Sequence, residues 1–276
     1  MSQSLVRHPL NASFEWTEHR GPYRCLSQEQ VCQYDELGFF VAHDVFDADT
    51  IDALIADFDP AEAELEQVVR EKFGGRIFIA RADEITFTTH LVQRFESARA
   101  FARTPFFCDL VHDLLGPNVR LYWDQAVYKK PGTTDPFPWH QDNGYTFIEP
   151  QHYLTCWVAL TDADAESGCP VVAPGIHRHG TLAHRTTELG FECFAEPPCE
   201  AVTVPVRAGD VVVLSSLTPH KTGPNSTSDH HRKSYIVQFA PDGAETVILE
   251  GDDEVRTRCD AADRQFEILV DGRPVG

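Results

Sequence analysis

Positive charge is scarce in this chain. There are 23 Lys and Arg against 43 Asp and Glu, a formal net charge of -20 with the 13 histidines neutral. A nucleic-acid binder needs Lys and Arg to replace phosphate counterions, so the balance argues against that class. It argues equally against docking on an anionic membrane surface. No apolar run approaches the roughly 18 residues of a membrane span. The opening MSQSLVRHPL has no apolar h-region, so no secretory signal is expected. Eight cysteines are scattered without a Cys-x-x-Cys pair, and the tightest spacing, Cys193 to Cys199, fits no common zinc pattern. Most are expected to be small buried hydrophobes in a reducing compartment, which points to a cytoplasmic protein. Repeats, low-complexity tracts and linkers are missing, so residues 1–276 are read as one domain.

What is present is ordinary globular composition, 42% hydrophobic and 11% aromatic, enough for a sizeable core. The first part, about 27–116, reads mainly as helices. Ser27-Gln28-Glu29-Gln30 is a capping box followed by Val31, Tyr34 and Leu37 at helical spacing. Phe39-Phe40-Val41 reads as a short strand. Asp49 is expected to cap a second helix that buries Ile51, Leu54, Ile55 and Phe58. Thr104-Pro105 starts another, which stops at Gly116-Pro117.

From 119 the period becomes two. Val119, Leu121, Trp123, Gln125 and Val127 alternate with their neighbours as a strand does. Further strands are expected at 153–160, 201–206, 210–215 and 234–240, with weaker ones at 246–249 and 266–270 before an Asp271-Gly272 turn. Loops are expected at 131–138, 162–170 and 222–229. Many short strands after a block of helices predict a mainly β fold, a sandwich or jelly roll with flanking helices. Its core would span about 119–241, with C-terminal strands over 246–276.

His140 and Asp142, in Pro138-Trp139-His140-Gln141-Asp142, are two apart and would share a face on an extended segment. Taken alone this is a weak signal. The buried-strand run Asp210-Val211-Val212-Val213-Leu214 then opens into a turn carrying His220, and Arg232 follows just before another strand. Two histidines and a carboxylate form the facial triad of non-haem Fe(II) oxygenases. A nearby buried Arg is a fork-shaped partner for a carboxylate.

The blocks WHQDNGY at 139–145, SSLTPHKTGPNST at 215–227 and HRKSYIVQF at 231–239 resemble the phytanoyl-CoA dioxygenase family of Fe(II)/2-oxoglutarate oxygenases, over about residues 27–241. The resemblance implies a double-stranded β-helix, with His140, Asp142 and His220 as iron ligands. It implies Arg232 on the distal carboxylate of 2-oxoglutarate, in preference to its neighbours His231 and Lys233. Thr222 would join that contact, Gln125 would lie beside the cosubstrate, and Trp157 would wall the pocket. Dioxygen would be the oxidant and succinate and CO2 the coproducts. Because Asp142 keeps the carboxylate that halogenating relatives lack, oxygenation of a C–H, typically hydroxylation, is implied.

Gln141, Asn143 and Tyr145 are expected to contact substrate at the pocket mouth, with Phe78, Arg81 and Phe87 as a lid or wall from the helical half. His177 and His179 are taken as a surface or pocket-rim pair, and His230 and His231 as solvated. Two other classes compete: a cupin-like metalloprotein such as an isomerase, needing no buried Arg, and a binding protein without the metal. Residues 44–71 carry ten acidic side chains against Arg70, and 242–263 carry eight against Arg256 and Arg258, whereas 220–233 is net positive. The acidity is therefore assigned to solvated faces, and the substrate is expected to be a small metabolite, smaller than an acyl-CoA. Oligomeric state is not legible.

Overall fold

The computed structural model describes residues 5–251 and 253–275. The start of the opening decapeptide and Gly276, at the end of the expected C-terminal strands, lie outside the described residues. In chain order the helices are α1 (Gln28–Leu37), α2 (Ala48–Phe73), α3 (Glu96–Ala102) and α4 (Pro105–Leu115). The first strands are β1 (Phe39–Ala42), β2 (Arg76–Ile77), β3 (Ala80–Arg81), β4 (Ile85–Thr89), β5 (Val119–Lys129), β6 (Phe137–His140), β7 (Ile148–Glu149), β8 (Leu154–Ala159) and β9 (Pro170–Val172). The remainder are β10 (Arg185–Thr187), β11 (Gly190–Glu192), β12 (Val202–Thr203), β13 (Val211–Ser215), β14 (His220–Thr222), β15 (Arg232–Pro241), β16 (Glu245–Glu250), β17 (Asp253–Arg258), β18 (Glu267–Val270) and β19 (Arg273–Pro274).

Two antiparallel sheets make the jelly roll. The larger runs β1-β13-β8-β15-β5-β4-β3-β2, and the smaller runs β12-β9-β14-β6. The central strands of the larger sheet are buried on both faces because each face is covered. Tyr128, Cys156, Val158, Val211, Val213, Tyr235, Val237 and Phe239 point outward and pack with Phe58, Phe101, Phe107 and Leu110 of the helices. The alternate residues Val127, Trp157, Val212, Leu214 and Ile236 point inward, with Phe137 and Val172 of the smaller sheet. The period-two pattern read from 119 onward thus separates a helix-facing layer from a site-facing layer.

Local sequence explains the helix ends. Ser27 and Gln30 form the reciprocal capping box, and α1 stops at Gly38, whose φ of 84° suits glycine. A Cβ there would also come 2.3 Å from Thr218 Oγ1, so this glycine lets the helix end touch the loop before β14. The second helix begins two residues earlier than expected. Its cap is Asp47, which accepts from the Thr50 N–H, rather than Asp49. It then runs through Pro60 to Phe73.

Four further expectations need correction. Residues 76–89 lie in the part read as helical but form β2, β3 and β4, added to the larger sheet against β5. These strands are two to five residues long, so pairing with a long neighbour, not intrinsic periodicity, decides them. The strand expected at 201–206 shrinks to Val202–Thr203, and the loop expected at 131–138 already contains the start of β6. His177 is not at the surface: it is fully buried in a short helical turn and meets Trp16 edge-on at 4.4 Å. The amino-terminal segment brings Trp16 there. His19 of that segment holds Asp35 at 2.6 Å, and Asn11 donates to the carbonyls of His179 and Thr181.

All eight cysteines are free. Four are buried and two half-buried, while Cys25 and Cys32 are exposed.

Candidate metal centre

The site lies where the smaller sheet faces the inner layer of the larger one. Antiparallel pairing of β6 with β14 sets His140 directly opposite His220, with ring centroids 4.3 Å apart. Asp142 is not on the strand, as the two-residue spacing suggested. Beyond β6 the chain turns into a short helical turn, Asp142–Gly144, which brings the carboxylate back over the two rings. Asp142 Oδ1 is 3.8 Å from His140 Nε2 and 3.9 Å from His220 Nε2. One atom from each of the three residues lies within 4.8 Å of the others, a group that can close on one ion.

The surroundings assign each ligand atom. His140 Nδ1 is 2.9 Å from the Pro138 carbonyl oxygen and His220 Nδ1 is 3.0 Å from that of Thr218. A carbonyl only accepts, so both Nδ1 atoms carry the proton and both Nε2 lone pairs face the centre. Burial and the neighbouring His220 ring hold the His140 pKa well below its usual 6.5, which keeps the ring neutral for a metal. Asp142 Oδ2 accepts from Thr155 Oγ1 at 2.6 Å, and Thr155 Oγ1 accepts from Gln238 Nε2 at 3.1 Å. Thr155 and Gln238 are cross-strand partners on β8 and β15. Sequence reading missed both, because only the register of two strands more than 80 residues apart brings them beside Asp142.

Arg232 is fully buried. Its Nη1 donates to Ser234 Oγ at 2.8 Å and to the Val127 carbonyl at 3.3 Å, while Nε and Nη2 are buried without a partner. The guanidinium lies 5.5 Å from the Trp157 ring centroid. Its neighbours in sequence point elsewhere: Lys233 reaches outward to Asp59 at 2.7 Å, and His231 is exposed. A family model described as phytanoyl-CoA dioxygenase (PhyH) matches residues 34–234. The chain belongs to this family.

Among relatives of this phytanoyl-CoA dioxygenase family member, peroxisomal phytanoyl-CoA dioxygenase of Rattus norvegicus is 24% identical over 276 residues, covering 90% of this chain and 80% of that protein. Methylphosphonate hydroxylase of Gimesia maris is 32% identical over 145 residues, 52% of each chain. Among solved structures, the non-heme alpha ketoglutarate dependent carbocyclase SnoK from nogalamycin biosynthesis superposes with a TM-score of 0.62 at 26% identity, covering 87% of this chain and 98% of its own. EvdO2 from Micromonospora carbonacea var. aurantiaca, complexed with 2-oxoglutarate, gives 0.62 at 23% identity over 84% and 96% of the two chains, which shows the shared fold.

The family member's other expected site residues divide into two groups. Gln125, Ile236 and Trp157 form one cross-strand row on the inner face, so Gln125 and Trp157 share the cavity side. Gln125 Oε1 accepts from Trp123 Nε1 at 3.2 Å. Thr222 lies on β14, two residues past His220, and accepts from Lys129 Nζ at 3.1 Å. Tyr145 stands edge-on to the His140 ring at 5.4 Å, and Phe137 is stacked on it. Phe78, at the tip of the β2–β3 hairpin and 58% exposed, meets Phe191 at 5.6 Å and Tyr145 at 6.4 Å. Phe87 packs on Phe137.

Gln141 and Asn143 do not face the mouth. The Gln141 side chain donates to the carbonyls of Gly180 and Leu217 and accepts from the Leu182 N–H. Asn143 donates to Thr181 Oγ1 and accepts from the Ile148 N–H. Both are fully buried braces of the turn that carries Asp142, and their polar groups are already used. Arg81, like Phe78 and Phe87, is expected in a lid or wall. It is buried, ion-paired with Glu84 at 2.6 Å, and leaves Nη1 without a partner.

Proposed function

We propose that this protein is a non-haem Fe(II)- and 2-oxoglutarate-dependent oxygenase that hydroxylates an unactivated C–H of a small metabolite, releasing succinate and CO2. The observation that carries the reading is that the interior between the two sheets holds both halves of the requirement. His140 Nε2, His220 Nε2 and Asp142 Oδ1 converge, and the buried Arg232 has two partnerless donors. When bound, the iron with its cosubstrate and dioxygen supplies the oxidising chemistry. The chain's own residues then bind and orient. The two imidazoles and the carboxylate hold one face of the ion, and Arg232 offers Nε and Nη2 to the distal carboxylate of 2-oxoglutarate. Thr222 joins that contact, with Gln125 and Trp157 lining the cosubstrate side. Tyr145 and the exposed Phe78 meet the substrate.

Asp142 occupies the ligand position that halide would need, which supports oxygenation over halogenation. The unpaired Arg232 donors favour this reading over a cupin-like isomerase, which needs no such group. The net charge of -20 disfavours a polyanionic thioester as substrate. Relatives named for methylphosphonate and for hypophosphite support a small one. The free cysteines support a cytoplasmic location, and we read the whole chain as one domain.

The test is succinate formation with Fe(II), ascorbate and 2-oxoglutarate across candidate metabolites, with the product identified by mass. Gain of one oxygen atom is expected. Loss of two hydrogens would replace hydroxylation by desaturation or ring closure. Tight iron binding with no succinate under any condition would hand the site to the isomerase class.

A further inference from the structure

The ribbon of β16 and β17, far along the chain from the metal ligands, leaves a strand edge open. β16 pairs with β7 on one side and with β17 on the other, and no strand pairs with the far side of β17 among the described residues. Hydrogen bonding fixes which groups that edge presents. The Cys259 N–H donates to the Ala244 carbonyl at 2.9 Å, toward β16, and the Val247 N–H donates to the Phe147 carbonyl at 2.8 Å, away from β17. Donor direction alternates along an antiparallel strand. Val255 and Thr257 therefore bond back to β16, while Glu254, Arg256 and Arg258 turn their N–H and C=O groups outward.

Open edges are usually blunted by proline, by a bulge or by charged side chains that repel a second edge. β17 has no proline and no register shift against β16. Its charges are of both signs and in order: Asp253 and Glu254 precede Arg256 and Arg258. Reversed on itself, that order places acid against base. The ribbon also exposes apolar area. β7 pairs with only Glu245 and Thr246 of β16, so beyond them it is two strands wide, an arrangement of marginal stability until it is covered. There the cross-strand partners Ile248 and Val255 are 51% and 36% exposed.

In an antiparallel edge, outward-facing residues pair only with outward-facing ones, so few registers exist. One sets Glu254 opposite Arg256 of a second copy, twice, and brings Val255 against its own counterpart on the two-fold axis as a close, non-hydrogen-bonded pair. The next register sets Arg256 against itself, and like charges directly opposite are destabilising. We propose that β17 is a homotypic interface, on which two copies of this chain pair antiparallel in the first register to form one sheet, β7-β16-β17-β17-β16-β7. The Arg256–Glu254 contact, 2.8 Å within the single strand, exchanges for the same contact across the axis, so neither charge loses a partner. A net charge of -20 on each copy opposes association at long range, and salt screens that repulsion, so a micromolar dimer at physiological salt is expected.

The experiment is sedimentation velocity of the full chain across about 1 to 200 µM protein at about 0.15 M salt. The wild type should pass from monomer to dimer. Arg256→Glu and Glu254→Arg change the net charge in opposite directions, yet each sets like charges across the axis. Each alone should therefore dimerise about tenfold more weakly or worse. Mixed together, the two variants restore both pairs and should form a heterodimer at wild-type strength. A wild type that stays monomeric throughout overturns the proposal. So does a dimer that is indifferent to both variants or follows net charge alone, and so do variants that stay apart when mixed.

Discussion

At the scale of single residues, the metal centre depends on neighbours that pin each ligand as much as on the ligands. Asp142 is the only charged member of the trio, so Asp142→Ala should abolish tight Fe(II) binding in a metal titration. Undiminished affinity would disprove the ligand set. The subtler prediction concerns Thr155, whose hydroxyl holds Asp142 Oδ2 and leaves Oδ1 for the metal. Thr155→Val keeps the shape and removes the donor. Fe(II) affinity should fall about 10- to 100-fold, the usual effect of losing such a support. The circular dichroism spectrum should stay unchanged, and a wild-type affinity would mean that Asp142 is held by the turn alone. His140 and Asp142 stand out in the sequence as ligand types at a suggestive spacing. Thr155 and Gln238 carry no local signal, since a Thr and a Gln on strands are commonplace.

At the scale of elements, short turns carry the functional precision. The turn that presents Asp142 packs Gly144 against the His184 ring, where a Cβ would come within 2.0 Å. Gly144→Ala should therefore displace the turn. The expected outcome is weaker Fe(II) binding together with a loss of a few kcal/mol in urea unfolding, in the range of overpacking. The capping box of α1 is a purely structural counterpart. Ser27→Ala should cost about 1 kcal/mol and leave metal affinity untouched. Denaturation paired with metal titration separates the two classes of variant. The capping box and the long strand from 119 were legible because their signals are local. The β2–β4 additions were not, because edge pairing with β5 creates strands that would not persist alone.

At the scale of the whole molecule, the acidic surplus has more structure than a solvated face. Glu62 and Glu66 of α2 hold Lys130, and Asp59 holds Lys233, so part of the helix's charge anchors it to the back of the larger sheet. Acid behaviour should expose another global feature, a set of histidines kept neutral. Burial, first among the causes, lowers His152 to about 3, and His177 and His184 to about 4, from an ordinary 6.5. The unfolded chain takes up these protons near pH 6.5 and the folded chain refuses them. Stability present above that pH is therefore lost as the pH falls toward the folded values, by about 2 kcal/mol per histidine at pH 5. Relief of acidic repulsion acts in the opposite sense, so the comparison needs a variant. His152→Gln keeps a partner for the Tyr34 hydroxyl, which meets His152 Nε2 at 2.9 Å. The stability gap between wild type and variant should shift by about 2 kcal/mol in the variant's favour between pH 8 and pH 5 in urea titrations. A gap independent of pH would show that His152 is not held neutral.

The sequence by itself determined the mainly β architecture and the helical flank, which follow from periodicity, and its motif blocks carried the family resemblance that pointed to the ligand trio and to Arg232. Tertiary structure alone decided which faces those residues occupy. It sent Lys129 inward and Lys130 outward, and turned Gln141 and Asn143 from expected substrate contacts into braces. It also buried His177 beneath the amino-terminal segment and set Thr155 behind Asp142. Each of these depends on strand register and on contacts between distant segments, and a shift of one residue in pairing would reverse every face.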